Sequence, residues 1–149
     1  MDFIECCKTG DINSIKQMSL NTIKYNCDLD RGFRCACMYG HINIVRYLCE
    51  LYKTGDYKKI NIHTMDEYGF RWACYYGHIN IVRYLCELYK TGDYDIINIH
   101  ADNEDGFRLA CWCGHYNIIL YLTTLYKKHK YKPIHFYIEI FKKINKHML

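Results

Sequence analysis

Proline is almost absent. Pro133 is the single example in 149 residues. With half the residues apolar and 24% charged, this composition excludes a collagen-like or a disordered chain. No Asn-x-Ser/Thr sequon occurs, and the longest apolar runs fall far short of the roughly 18 residues that span a bilayer. The start, MDFIECCKTGD, lacks a basic segment followed by an apolar run and a small-residue cleavage site, so no secretory signal is expected. Ten cysteines could otherwise suggest a disulfide scaffold. Without secretory features they read as reduced thiols of a cytoplasmic protein. The length fits one domain.

Charge is unevenly spread. Residues 1–126 hold thirteen Lys/Arg against fifteen Asp/Glu, whereas residues 127–149 hold seven Lys and one acid, Glu139. A basic end can serve nucleic acid or an anionic surface, or it can be one solvated face of a terminal helix. No Walker sequence, zinc finger or RNA-binding signature accompanies the lysines.

What the chain has in quantity is repetition. Gly32-Phe33-Arg34 recurs as Gly69-Phe70-Arg71 and Gly106-Phe107-Arg108, and Gly40-His41 recurs as Gly77-His78 and Gly114-His115, each step being 37 residues. Residues 39–57 and 76–94 are the same nineteen letters, and extension back to Gly32 and Gly69 adds two differences, Cys35/Trp72 and Met38/Tyr75. Such a period suits a stacked supersecondary unit. Each unit reads as two helices. The first is short, Phe70 to Tyr76 in the middle copy, and is ended by Gly77. The second runs from about Asn80 to Tyr89, with Ile81, Val82, Leu85 and Cys86 on its apolar stripe. Arg83 and Glu87, four apart on the polar side, are positioned for a weak pair. The segments after Thr91-Gly92-Asp93 read as projecting loops or hairpins.

In the middle unit, Phe70-Arg71-Trp72-Ala73-Cys74, then Gly77-His78, then Ile81-Val82-Arg83-Tyr84-Leu85-Cys86 resemble the ankyrin repeat, whose period is about 33 residues. The likeness covers roughly residues 1–129. It implies an all-α ankyrin-like solenoid of helix pairs with projecting loops or hairpins. The expected single domain, 1–149, has a degenerate first unit near 1–27, then units near 28–64, 65–101 and 102–130. A C-terminal capping helix over 131–149 follows, begun by Pro133, with Ile134, Tyr137, Ile138, Phe141 and Ile144 on one face. An F-box-like docking tail is the alternative reading of that helix. Where the family keeps proline at the first helical position, this chain has Gly32, Gly69 and Gly106. The Tyr-, Ile-, Asn- and Lys-rich composition further resembles ankyrin proteins of large DNA viruses that infect amoebae.

Candidate chemistry is sparse. Cys35-Ala36-Cys37 and Cys111-Trp112-Cys113 bring metal binding to mind, but residues two apart on a helix point about 200° apart. Cys6, Cys7, Cys37, Cys74 and Cys111 stand where the family keeps alanine, and Cys49 and Cys86 where it keeps leucine, so they are expected to pack as small apolar groups. His41, His78 and His115 recur once per unit, which suggests a hydrogen bond that fixes each turn. His63 and His100 sit in loops. No Ser/His/Asp set and no phosphate loop appears, so neither catalysis nor a cofactor nor a metal is expected.

The resemblance places the two residues before each Gly-His on a concave groove that contacts partners: Met38 and Tyr39, Tyr75 and Tyr76, Trp112 and Cys113. Trp72 belongs to the same short helix. Tyrosine and tryptophan are favoured at interface hot spots; packing of Tyr39 and Tyr76 on neighbouring short helices is the alternative. The loop residues Thr64, Met65, Asp66 and Glu67, and Asp102, Asn103, Glu104 and Asp105, are expected to form an acidic rim suited to a basic partner. The resulting expectation is a non-catalytic protein-binding module, monomeric or a groove-mediated homodimer, acting in the host cytoplasm if viral. The candidate contacts are Met38, Tyr39, Met65, Glu67, Trp72, Tyr75, Tyr76, Asn103, Glu104 and Trp112. Nucleic-acid or anionic-surface binding through Lys127, Lys128, Lys130, Lys132, Lys142, Lys143 and Lys146 is the competing reading.

Overall fold

The computed structural model describes residues 2–18, 23 and 26–128. The predicted capping helix and most of the tail lysines lie outside the described residues. The helices are α1 (Phe3–Thr9), α2 (Ile12–Gln17), α3 (Asn26–Tyr39), α4 (Ile42–Glu50), α5 (Thr64–Tyr76), α6 (Ile79–Glu87), α7 (Ala101–Cys113) and α8 (Tyr116–Lys128). Single 3-10 turns, Leu51–Thr54 and Leu88–Thr91, follow α4 and α6. No strand occurs among the described residues, so the segments between units are loops and not hairpins. Successive pairs stack, with α1 on α3, α3 on α5 and α5 on α7.

Each pair turns on a glycine. Gly77 takes φ 81°, a left-handed value that suits glycine. It is also covered: a Cβ there would lie 2.7 Å from His115 Cε1. The imidazole bonds reach across units, while each histidine's own turn is closed by its backbone N–H, as in His78 N–H to the Ala73 carbonyl at 2.9 Å. The Nε2 atoms of His41, His78 and His115 donate to the carbonyls of Lys8, Met38 and Tyr75 at 2.7, 2.9 and 2.7 Å. Each histidine therefore ties its unit to the preceding one.

The first helices begin earlier than the sequence suggests. α5 starts at Thr64, and α7 at Ala101. Their opening turns are left-handed, with φ of 54°, 51° and 60° at Met65, Asp66 and Glu67, and 51°, 56° and 66° at Asp102, Asn103 and Glu104. Gly69 and Gly106 thus lie within helices. They are there for packing. A Cβ on Gly69 would stand 2.9 Å from Phe33 Cε1, and one on Gly106 2.7 Å from Phe70 Cε1. Phe33 and Phe70 are fully buried by this approach.

An acid recurs at the same 37-residue step. Asp30 Oδ1 accepts the backbone N–H of Asn61 at 2.8 Å, and Glu67 Oε1 accepts that of Asn98 at 3.0 Å. His63 Nδ1 lies 2.8 Å from Glu67 Oε1, and His100 Nδ1 lies 2.7 Å from Glu104 Oε1. Glu104 Oε2 instead takes the hydroxyl of Tyr126 at 2.7 Å. The second helices carry another ladder: Lys16, Arg46 and Arg83 lie over the rings of Tyr47, Tyr84 and Tyr121 at 5.8, 4.8 and 5.0 Å. Arg83 therefore serves a tyrosine of the next unit, and Glu87 meets Lys90 at 3.5 Å in place of the expected arginine pair.

Candidate protein-binding surface

The buried side of α5 holds Gly69, Phe70, Ala73 and Cys74. The helix period therefore turns Tyr68, Trp72, Tyr75 and Tyr76 outward together. Their rings touch. Tyr68 and Trp72 have centroids 5.5 Å apart, Trp72 and Tyr75 5.2 Å, and Trp72 and Tyr76 5.7 Å in a stacked arrangement. Tyr75 meets Tyr76 edge-on at 4.8 Å. Arg34 of the preceding unit lies over the Tyr68 ring at 5.9 Å. Tyr39 and Tyr76, equivalent in successive units, are 48% and 45% exposed, and Trp112 on α7 is 89% exposed. Met38 is half-buried.

Of the predicted contacts, the structure brings Trp72, Tyr75 and Tyr76 into one cluster. Tyr68 joins them and was missed, because a helix begun at Phe70 leaves it outside. Its spacing of four, seven and eight residues from the other rings is the signal that an earlier helix start would have exposed. Met65 and Asn103 are exposed on the left-handed turns.

Glu67 and Glu104 are corrections. They are 4% and 6% exposed; Glu67 Oε1 serves His63 and Asn98 while its Oε2 is buried without a hydrogen-bond partner, and the Glu104 oxygens serve His100 and Tyr126. They cannot meet a partner. The acidic rim is further reduced because Arg71 pairs with Asp102 at 2.5 Å and with Asp105 at 2.9 Å, and Arg108 pairs with Asp105 at 3.2 Å. Asp66 and Asp102 remain at the surface.

Cys6, Cys7, Cys37, Cys49, Cys74 and Cys86 are buried, Cys35 and Cys111 are half-buried and Cys113 is exposed, and these nine are free thiols. Burial pushes the thiols of Cys7, Cys49 and Cys86 up to about 12, and raises Cys37 and Cys74 well above the ordinary range. Neutral buried thiols of this kind pack as small apolar groups. Among the described residues no group of three or more His, Cys, Asp and Glu is placed to hold a metal ion. None of the described helices is long and apolar enough to cross a membrane.

A family model for ankyrin repeats, three copies, matches residues 3–98. The chain belongs to the ankyrin-repeat family. The match spans α1 to the loop after α6, which covers the aromatic cluster. No curated protein and no solved structure matches the chain. Ankyrin repeats are in general protein–protein interaction modules and are typically non-enzymatic.

Proposed function

We propose that this ankyrin-repeat chain is a non-catalytic protein-binding module that captures its partner on the Tyr68–Trp72–Tyr75–Tyr76 face of α5, flanked by Tyr39 and Trp112. The supporting observation is the run of edge-on, tilted and stacked contacts that joins the four rings on a surface helix. Rings already held by one another lose little rotamer freedom when a partner covers them, so more of the desolvation energy appears as affinity. The two differences within the duplicated block, Cys35/Trp72 and Met38/Tyr75, support the same reading. They change this face while the scaffold around it stays the same. The composition supports a viral origin, in a virus of amoebae, with a host or viral protein of the cytoplasm as partner.

Affinity capture with the wild-type chain and with a Trp72→Ala/Trp112→Ala variant tests this. Truncation of a hot-spot aromatic costs ~2 kcal/mol or more, roughly thirtyfold in Kd. The expected result is loss of the captured protein with unchanged helical circular dichroism. Equal capture by a folded double variant overturns the assignment.

A further inference from the structure

Arginine recurs on the first helices at Arg34, Arg71 and Arg108, one repeat step apart. Arg71 shows what the position holds. Its guanidinium takes the carboxylates of Asp102 and Asp105, both supplied by the next unit, at 2.5 and 2.9 Å, and donates to the Met65 carbonyl at 3.3 Å. Arg108 shares Asp105, at 3.2 Å. Two carboxylates thus serve two of the three arginines.

One unit earlier, the residues equivalent to Asp102 and Asp105 are Met65 and Tyr68. Neither offers a carboxylate. Arg34 lies over the Tyr68 ring at 5.9 Å, and among the described residues its guanidinium has no ion pair and no hydrogen bond. None of residues 19–25 is acidic. Arg34 is half-buried, so a rigid fork of N–H donors stands at the edge of the aromatic cluster with a ring beneath it and no anion. The surroundings are cationic. Burial raises the Cys35 thiol, and Lys8, Arg31 and Arg34 act against that rise. Glu5 acts with burial on the same thiol, and it is paired with Lys8 at 3.7 Å. Arg31 shares a hollow with Asp2, Glu5 and Asp28, so acids of this chain already balance its charge.

Resting on the reading of the α5 face as the partner-binding surface, we propose that the partner presents an acidic segment. One Asp or Glu carboxylate of that segment bonds the Arg34 guanidinium, as Asp102 and Asp105 bond Arg71. The apolar side chain next to it packs on Tyr68 and Trp72. The charge recognised is then negative, opposite to the preference that the acidic loop residues suggest in the sequence.

A phage-displayed library of random short peptides, selected on the full chain, supplies the probe. The selected peptides are expected to carry Asp or Glu beside an aromatic or aliphatic residue. By fluorescence anisotropy, such a peptide should lose about tenfold or more in Kd on Arg34→Gln, because a hydrogen bond to a charged group is removed. The loss should be smaller on Arg34→Lys, which keeps the charge without the fork. Trp72→Ala should weaken the peptide as well. Selection on Arg34→Glu should turn the enrichment towards Lys and Arg, a gain that a misfolded variant cannot give. No enrichment of acids on the native chain overturns the proposal, and so does equal affinity for the native chain and Arg34→Gln. Where that equal affinity comes with a loss on Trp72→Ala, the aromatic face still binds and only the acidic chemistry fails. Where neither variant weakens the peptide, binding at the α5 face is overturned too.

Discussion

Glu67 Oε1 accepts the backbone N–H of Asn98 across the boundary between successive units, at 3.0 Å. A charged side chain is thereby buried to order a loop, and the loop's N–H would otherwise lack an acceptor. Glu67→Ala removes that acceptor and leaves the donor unpaired, at a cost of about 1–3 kcal/mol. Glu67→Gln keeps an oxygen in place and should lose less. Urea denaturation of the two variants checks the order. Equal losses would show that the carboxylate charge, and not the acceptor geometry, matters.

Gly77 and Gly92 separate two reasons for glycine. Both are left-handed, with φ of 81° and 79°. At Gly92 a Cβ meets nothing within 4 Å, whereas at Gly77 it meets the His115 ring at 2.7 Å. Gly92→Ala should cost only the backbone preference, about 1–2 kcal/mol. Gly77→Ala adds displacement of the imidazole from its bond to the Tyr75 carbonyl, so the loss should be larger by about 1 kcal/mol or more. Thermal melts of both variants measure the difference.

Much of the fold could be read from the sequence, because a 37-residue step brings the same letters to the same place in every unit. The glycine turns, the apolar stripes of α4 and α6 and the placing of at least one aromatic residue in the pair before each Gly-His all follow from that step. The left-handed turns at 65–67 and 102–104 did not. Met-Asp-Glu and Asp-Asn-Glu have no glycine and read locally as a solvated loop. The local reading exposed Glu67 and Glu104, delayed the helix start to Phe70 and dropped Tyr68 from the cluster. The missed signal was itself periodic: acids at 30, 67 and 104 at the repeat step mark a structural duty that a surface rim would not need to repeat in register.

The buried thiols make the stability sensitive to alkali. An ordinary thiol titrates near 9.0, and folding pushes Cys7, Cys49 and Cys86 up to about 12, with burial the largest cause in each. Above pH 9 the unfolded chain gives up protons that the folded chain keeps, so unfolding is favoured by rising pH. This contribution is whole below the unfolded value and is lost as pH climbs towards the folded one. Tyr84, Tyr94, Tyr121 and Tyr126, all raised above their ordinary value by burial first, act in the same direction at slightly higher pH. The urea midpoint, measured under reductant, should be insensitive to these groups at neutral pH and fall steeply in alkali. Cys37→Ala/Cys74→Ala should soften that fall. An unchanged alkaline slope in the double variant would mean that the tyrosines carry it.

Met65 sits in the left-handed turn with φ 54° and is 61% exposed. A β-carbon in that conformation costs about 1–2 kcal/mol. Glycine there avoids this cost but adds about 0.5–1 kcal/mol of chain entropy to the unfolded state. The balance favours glycine by about 0.5–1 kcal/mol. Because little of the methionine side chain is buried, no packing term of comparable size opposes it. Met65→Gly should therefore raise the melting temperature, against the usual direction for glycine inside a helix. Met65→Ala, which keeps the β-carbon, should leave it close to the native value. If Met65→Gly lowers the melting temperature, the backbone at 65–67 is not left-handed in solution, and the burial of Glu67 that depends on that turn would need another explanation.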